Sequence, residues 1–314
     1  MAIAVFMLFA FTAAAYAEDA QTLYVSGIKK VKSRDFEGAI NDFGAAIQAN
    51  KGFVKAYVGR GMCYFMLDRH KQAIDDLNKA IQLDPENVTA LFWRGSSYLM
   101  AGDSKSAIPD YSGVLRKQPE NAYSYLFRGI AYFRLDKLQE AIADVSKCIS
   151  YNPRKADPYV IRGMCYWKKK MLDSAVRDMK RGVELQPANG YYQLLAYTAS
   201  ALNGDASTDE LQKFYGKDDA KKDKIVYQII GMMLGRETPD SCLKAAEKFE
   251  PENLRGTIVQ QTQFFMSSYF SIKGDKEKAK KYEDLAMNGE NKLFVIQMIV
   301  KMIFYELKGD FEIK

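Results

Sequence analysis

Histidine is nearly missing from this chain, with His70 alone in 314 residues. One imidazole excludes most histidine-based metal sites and leaves a Ser-His or Cys-His mechanism a single candidate base. Cysteine is scarce too. Cys63, Cys148, Cys165 and Cys242 form no C-x-x-C pair and are too few for a disulfide scaffold. The sequence has no phosphate loop, no zinc-ligand spacing, no nucleophile elbow and no paired catalytic carboxylates. The expectation is a protein without catalysis, metal or cofactor. Charge of one sign is also lacking in excess. The net +6 is modest for this length, and the charges are mixed rather than blocked, so nucleic acid is not an expected partner. Proline is limited to 8 residues, while 48% of the chain is hydrophobic. That balance suits helices around a large core.

A long apolar run occurs at the start. Residues 1–17, MAIAVFMLFAFTAAAYA, carry no charge and end in Ala15-Tyr16-Ala17 ahead of Glu18-Asp19. A hydrophobic stretch followed by A-x-A reads as an export signal cut after Ala17. It is shorter than the roughly 20 residues that span a bilayer. No Lys or Arg precedes it, and an uncleaved tether is the competing reading. No cysteine follows the run, so a lipid-attachment residue is absent. The mature chain is expected to have no membrane span and to be periplasmic or otherwise associated with the cell envelope.

What the sequence has in abundance is a period. Arg60-Gly61, Arg94-Gly95, Arg128-Gly129 and Arg162-Gly163 recur 34 residues apart. In the same phase run Tyr64, Tyr98, Tyr132 and Tyr166, then Ala73, Ala107, Ala141 and Ala175, then Asp76, Asp110, Asp144 and Asp178, then Pro85, Pro119, Pro153 and Pro187. A looser first copy holds Gly27, Ala39, Asp42, Phe43 and Ala46, with Ser26 in place of Arg and Lys30 in place of Tyr. Glycine allows close approach of two helices, Tyr and Ala would form a knob and hole beside it, and proline ends each unit. Units of this size cannot bury their apolar faces alone and must stack.

A 34-residue period with these markers resembles the tetratricopeptide repeat, a helix-turn-helix unit. The resemblance implies an all-α solenoid coiled into a right-handed superhelix. Five repeats would cover residues 18–189, at about 20–53, 54–87, 88–121, 122–155 and 156–189. The phased Arg and Asp are expected to pair as a ladder within or between repeats: Arg60, Arg94, Arg128 and Arg162 with Asp76, Asp110, Asp144 and Asp178. An arginine-lined binding surface is the rival reading. Pro109 falls inside a second helix, where a bend or frayed first turn is expected.

A second stripe follows the first helices at i, i+4, i+7. It comprises Val58, Met62 and Phe65; Phe92, Ser96 and Leu99, with Trp93 beside them; Leu126, Ile130 and Phe133, with Phe127; and Val160, Met164 and Trp167, with Ile161. The family resemblance places these positions on the concave wall. Apart from Ser96 they are apolar where carboxylate-gripping members carry Lys, Arg and Asn. Either a partner's helix or peptide lies against them, or the chain's own helices or a second subunit do. Cys148 and Cys165 lie on neighbouring elements, where packing is the ordinary use of such residues. Asn87-Val88-Thr89 is a glycosylation sequon that matters only in a eukaryotic secretory cell.

Beyond Pro187 the markers fade into a helical region, residues 190–314. Helices are expected over Gly190 to Leu202, Thr208 to Tyr215 and Ile225 to Leu234, with Asp240 capping another that runs to Phe249. A further repeat is expected near 260–290, with Ser267 at the glycine position, and a capping helix over Leu293 to Leu307. Phe264, Tyr269, Gly274, Asp275, Ala279, Asn288, Phe294 and Val295 form a pattern similar to that of the tetratricopeptide outer-membrane lipoproteins of Gram-negative bacteria. That resemblance implies a dimeric adaptor for murein hydrolases and a processing protease. The missing lipidation cysteine argues for a soluble periplasmic form.

The expected function is therefore a non-catalytic scaffold binding protein partners in the concave groove, with homodimerisation left open. The alternative is an envelope protein whose groove is self-filled and which acts through dimerisation or its convex face. Export is directly checkable. Protein recovered from the envelope fraction should begin at Glu18 on amino-terminal sequencing, and an intact Met1 would sink the processing expectation.

Overall fold

The computed structural model describes residues 19–217, 223–250 and 252–288. Among them there is no strand. The expected signal segment and the last helix lie outside the described residues. The described chain falls into two compact units, one ending at Leu135 and the other starting at Asp136.

The first unit holds α1 (19–32), α2 (Phe36–Ala49), α3 (Val54–Met66), α4 (His70–Leu83), α5 (Val88–Met100), α6 (Ser104–Lys117) and α7 (Ala122–Arg134). From α2 to α7 each helix packs on its sequence neighbour, and α3, α5 and α7 also touch in succession. This is a row of antiparallel helix pairs. The second unit holds α8 (Leu138–Tyr151), α9 (Ala156–Lys168), α10 (Leu172–Leu185), α11 (Gly190–Leu202), α12 (Asp209–Tyr215), α13 (Lys224–Met233), α14 (Pro239–Glu247), α15 (Glu252–Ile272) and α16 (Lys276–Asn288). Here α8 to α11 continue the pairing within the unit, and α11, α13 and α14 each pack against α15 or its neighbours.

The markers fix the helix ends. Each second helix from α4 to α10 stops two residues before Pro85, Pro119, Pro153 or Pro187. Proline has no N–H to continue the ladder and biases the preceding residue to extended backbone. Asn87, Asn121 and Asn189 then cap α5, α7 and α11, accepting from the first-turn amides of Ala90, Ser124 and Tyr192. The sequon asparagine is thus occupied as a helix cap. Between the paired helices the chain turns through a left-handed residue. Arg34, Asp68, Gly102, Asp136 and Lys170 hold φ of 62°, 58°, 88°, 61° and 63°, again 34 apart. The sequence markers do not reveal this position, because only one of the five is glycine.

The glycine contact is as tight as the spacing implies, but the knob differs. A Cβ on Gly61 would meet Leu77 at 2.8 Å, one on Gly95 would meet Asp110 and Tyr111 at 3.1 and 3.3 Å, and one on Gly163 would meet Met179 at 3.0 Å. The side chain pressed against each glycine is therefore the one sixteen positions on. Phe43, Leu77, Tyr111 and Met179 are fully buried there. Tyr64, Tyr98, Tyr132 and Tyr166, expected as knobs, are only half-buried. Their hydroxyls would go unsatisfied in so dry a place.

Pro109 leaves α6 unbroken, with the same 14-residue length as α4, α8 and α10. In the second unit, α14 is capped by Thr238 rather than Asp240. Thr238 and Ser241 form a reciprocal capping box, and Pro239 occupies the first turn. Pairing returns at α15 and α16, which turn through Gly274 at φ 78°.

Two substitutions of opposite sign test these assignments. Gly163→Ala should destabilise by about 1–3 kcal/mol, because Met179 and the Ala175 carbonyl, 3.2 Å away, must give. Lys170→Gly should stabilise by roughly 0.5–1 kcal/mol by relieving the left-handed backbone. Urea denaturation measures both, and equal signs would refute the packing described.

Candidate functional site

The phased arginines and aspartates meet as forks. Arg60 donates from Nε and Nη2 to Asp76 at 2.7 and 2.7 Å. Arg94 does the same to Asp110 at 2.9 and 2.6 Å, and Arg162 to Asp178 at 2.7 and 2.8 Å. Each pair joins the two helices of one repeat. The third nitrogen, Nη1, reaches back to the preceding repeat. Arg94 donates to Asn78 at 2.9 Å, Arg128 to Ser112 at 2.9 Å and Arg162 to Ser146 at 3.0 Å. At the corresponding place beside Arg60 stands Gly44, whose Cβ would lie 3.4 Å from Nη1. These acceptors escape the sequence reading, although they keep the 34-residue phase, because Gly, Asn and Ser share little chemistry. Asp144 is buried in the second unit, while Arg128 belongs to the first.

The first repeat solves the same problem differently. Asp42 accepts from Ser26 at 2.7 Å and from Lys30 at 2.9 Å. These are the two residues that replace Arg and Tyr. Burial pushes the Asp42 carboxyl up, yet these two hydrogen bonds and the lysine charge outweigh it and hold it below the usual carboxylate value.

The electrostatics of the forks are uneven. The aspartate bond leads the causes that raise Arg60, Arg94 and Arg162 above the ordinary guanidinium value. Asp110 moves upward instead, because its burial outweighs the pull of Arg94. The opposite leanings follow from geometry. The Asp110 side chain is 3% exposed and that of Arg94 is 21% exposed, so the desolvation cost falls mainly on the acid. Tyrosine rings flank the guanidinium groups. Arg128 lies 5.7 and 6.0 Å from Tyr125 and Tyr132, and Arg162 lies 5.8 and 6.0 Å from Tyr159 and Tyr166.

The apolar stripe lies mostly inside. Val58, Met62, Phe65, Trp93, Leu99, Leu126, Phe127, Ile130, Phe133 and Val160 are buried, and Phe92, Met164 and Trp167 are half-buried. In the first unit, Phe65 meets Trp93 edge-on at 5.1 Å, and Phe92 touches Trp93, Tyr111 and Phe127 at 5.4 to 5.9 Å. In the second, Trp167 lies 6.1 Å from Phe264 of α15. The four cysteines form no disulfide, and all are buried. Burial pushes the Cys63, Cys148 and Cys165 thiols up to about 12 and Cys242 to about 11, which keeps them inert. Among the described residues no cluster of His, Cys, Asp and Glu could hold a metal ion, and no helix is long and apolar enough to cross a membrane.

Helix pairs of fixed length, stacked at a 34-residue period, define a repeat protein of the kind that serves as a protein-binding scaffold. The repeats are tetratricopeptide repeats: models of that family match residues 54–87, 71–122, 92–147 and 156–189. Solved structures agree on the fold. YrrB, described as a TPR protein with an unusual peptide-binding site, is 20% identical, with a TM-score of 0.52 over 56% of this chain and 91% of its own. MamA from Desulfovibrio magneticus RS-1 is 19% identical, with a TM-score of 0.52 over 55% of this chain and 97% of its own. A search of curated proteins finds no match.

The fork is tested by Asp110→Asn, which keeps shape and removes charge. It should cost about 2–3 kcal/mol, below the roughly 3–5 kcal/mol of a fully sealed pair because Arg94 keeps some solvent. Amide hydrogen exchange in α5 and α6 should rise. An unchanged urea midpoint and unchanged exchange would show that the fork contributes nothing.

Proposed function

We propose that the chain is a non-catalytic scaffold of the cell envelope that brings protein partners together. The observation that carries this reading is the set of tetratricopeptide helix pairs, with Arg–Asp forks closing those that hold Arg60, Arg94 and Arg162. Rigid stacking presents a fixed surface and leaves the chemistry to whatever binds. Export rests on the apolar segment ending at Ala17, and the adaptor role on the likeness of the α15–α16 region to envelope lipoproteins.

Two places for the partner remain. An open groove would offer the stripe itself. A packed wall would leave dimerisation or another face. The burial of most of the stripe residues favours the packed wall, as does the approach of Phe264 to Trp167. Half-exposed tyrosines beside the forks offer surface outside the stripe.

Capture from envelope extract separates these readings. The purified chain is compared with Met164→Ala/Trp167→Ala, with circular dichroism confirming its fold and light scattering giving its oligomeric state. The packed wall predicts the same captured proteins with both. Loss of capture from a folded variant would restore the open groove. No capture by either would count against the scaffold.

A further inference from the structure

Arg134, the last residue of α7, stands apart from the ladder. Its Nη1 donates to the Leu99 carbonyl in the last turn of α5. Its Nε and Nη2 are buried without a hydrogen-bond partner, and it makes no ion pair among the described residues. Burial drives its guanidinium down to about 10, with the phenol of Tyr111 as a weaker opposing influence. That phenol is itself engaged, donating to Ser96 at 3.1 Å. Asp110, next to Tyr111 in the chain, is already taken by both nitrogens of the Arg94 fork.

The comparison with the ladder is direct. In Arg94 and Arg162, Nη1 goes to a neutral oxygen and the Nε–Nη2 edge takes a carboxylate. Arg134 has the neutral oxygen and lacks the carboxylate. Capping α5 explains one nitrogen and leaves the planar two-donor edge unused. A desolvated guanidinium in that condition is costly unless an anion meets it. The shape of the edge selects a carboxylate over a spherical anion.

We propose that the Nε–Nη2 edge of Arg134 is the anchor for a carboxylate supplied by a bound polypeptide. The inference deepens the scaffold reading and rests on it for the source of the carboxylate. The edge is sealed in the unliganded chain, so the incoming group must part the side chains around it.

The test reads the Nε–H signal of Arg134 by nuclear magnetic resonance in the full chain, assigned by its absence from Arg134→Lys. The probes are sodium acetate and three blocked tripeptides: Ac-Ala-Asp-Ala-amide, Ac-Ala-Ala-Ala with a free terminus, and Ac-Ala-Ala-Ala-amide. Sodium chloride at equal ionic strength is the control. A saturable downfield shift with acetate and with one acidic peptide is expected, and the tighter peptide identifies side chain or terminus as the source. Arg134→Lys keeps the charge but loses the fork, and its affinity should fall roughly ten- to a hundredfold. No shift with any carboxylate, or an equal shift with chloride, overturns the proposal. Acetate binding without any captured protein would sink the scaffold reading alone, and capture with a silent Arg134 would sink this one alone.

Discussion

A buried aspartate at the same place in successive helix pairs is the constraint on which the array turns. Asp76, Asp110 and Asp178 sit where the two helices of a repeat close on each other, and water cannot reach them freely. A carboxylate there must be met by matched donors or it will oppose folding. Arginine meets it with a rigid planar fork, and the same plane carries a third donor pointing the other way. In Arg94 and Arg162 that donor finds Asn78 and Ser146 on the preceding helix pair. One side chain therefore ties the closure of a repeat to its seating on its neighbour. Lysine, a single point of charge, could not do both. The first repeat illustrates the rule, since Lys30 needs Ser26 to complete the coordination of Asp42.

The forks act on a packing problem already solved by volume. Removing the side chain at Gly61, Gly95 and Gly163 lets Leu77, Tyr111 and Met179 seat directly against backbone. Different knobs fit the same hole because the alanines around them, such as Ala73, Ala107 and Ala175, leave no other room. Burial supplies most of the stabilisation and is indifferent to direction. The charged fork supplies direction at little net gain, which is the ordinary balance for a half-buried ion pair. Half-exposed tyrosines over the guanidinium faces keep water off the pair from outside.

How much of this was legible follows from where each constraint resides. The helix pairs, their ends and the Arg–Asp phase could be read because a glycine under a knob, a proline after a helix and a buried acid each admit few residue types. The left-handed turn could not, since Arg34, Asp68, Gly102, Asp136 and Lys170 share a backbone conformation imposed by the helix ends and no chemistry. The tyrosines misled because an aromatic at helical spacing suggests core, while their hydroxyls kept them at the edge. At α14 the acid Asp240 drew attention from Thr238, although Pro239 between them is better suited to the first turn than to preceding a cap. The stripe was legible as apolar but not as buried. Its neighbours come from distant parts of the chain, as Phe264 does for Trp167.

The stripe and Arg134 together narrow what the scaffold can do. On the packed-wall reading, Phe65, Trp93, Phe127 and Ile130 spend their apolar surface on the fold, and affinity for a partner has to come from other groups. What such an array still has to offer is geometry: polar groups at fixed spacing on a rigid row of helices. A guanidinium edge held without its acid is such a group, because the cost of desolvating it has been met in folding rather than at binding. A partner that brings one carboxylate then gains a charge-assisted pair at a reduced penalty. Rigid stacking by the forks and an unfilled fork at the end of α7 are thus two uses of one chemical device, one turned inward to set the repeat and one left for a ligand.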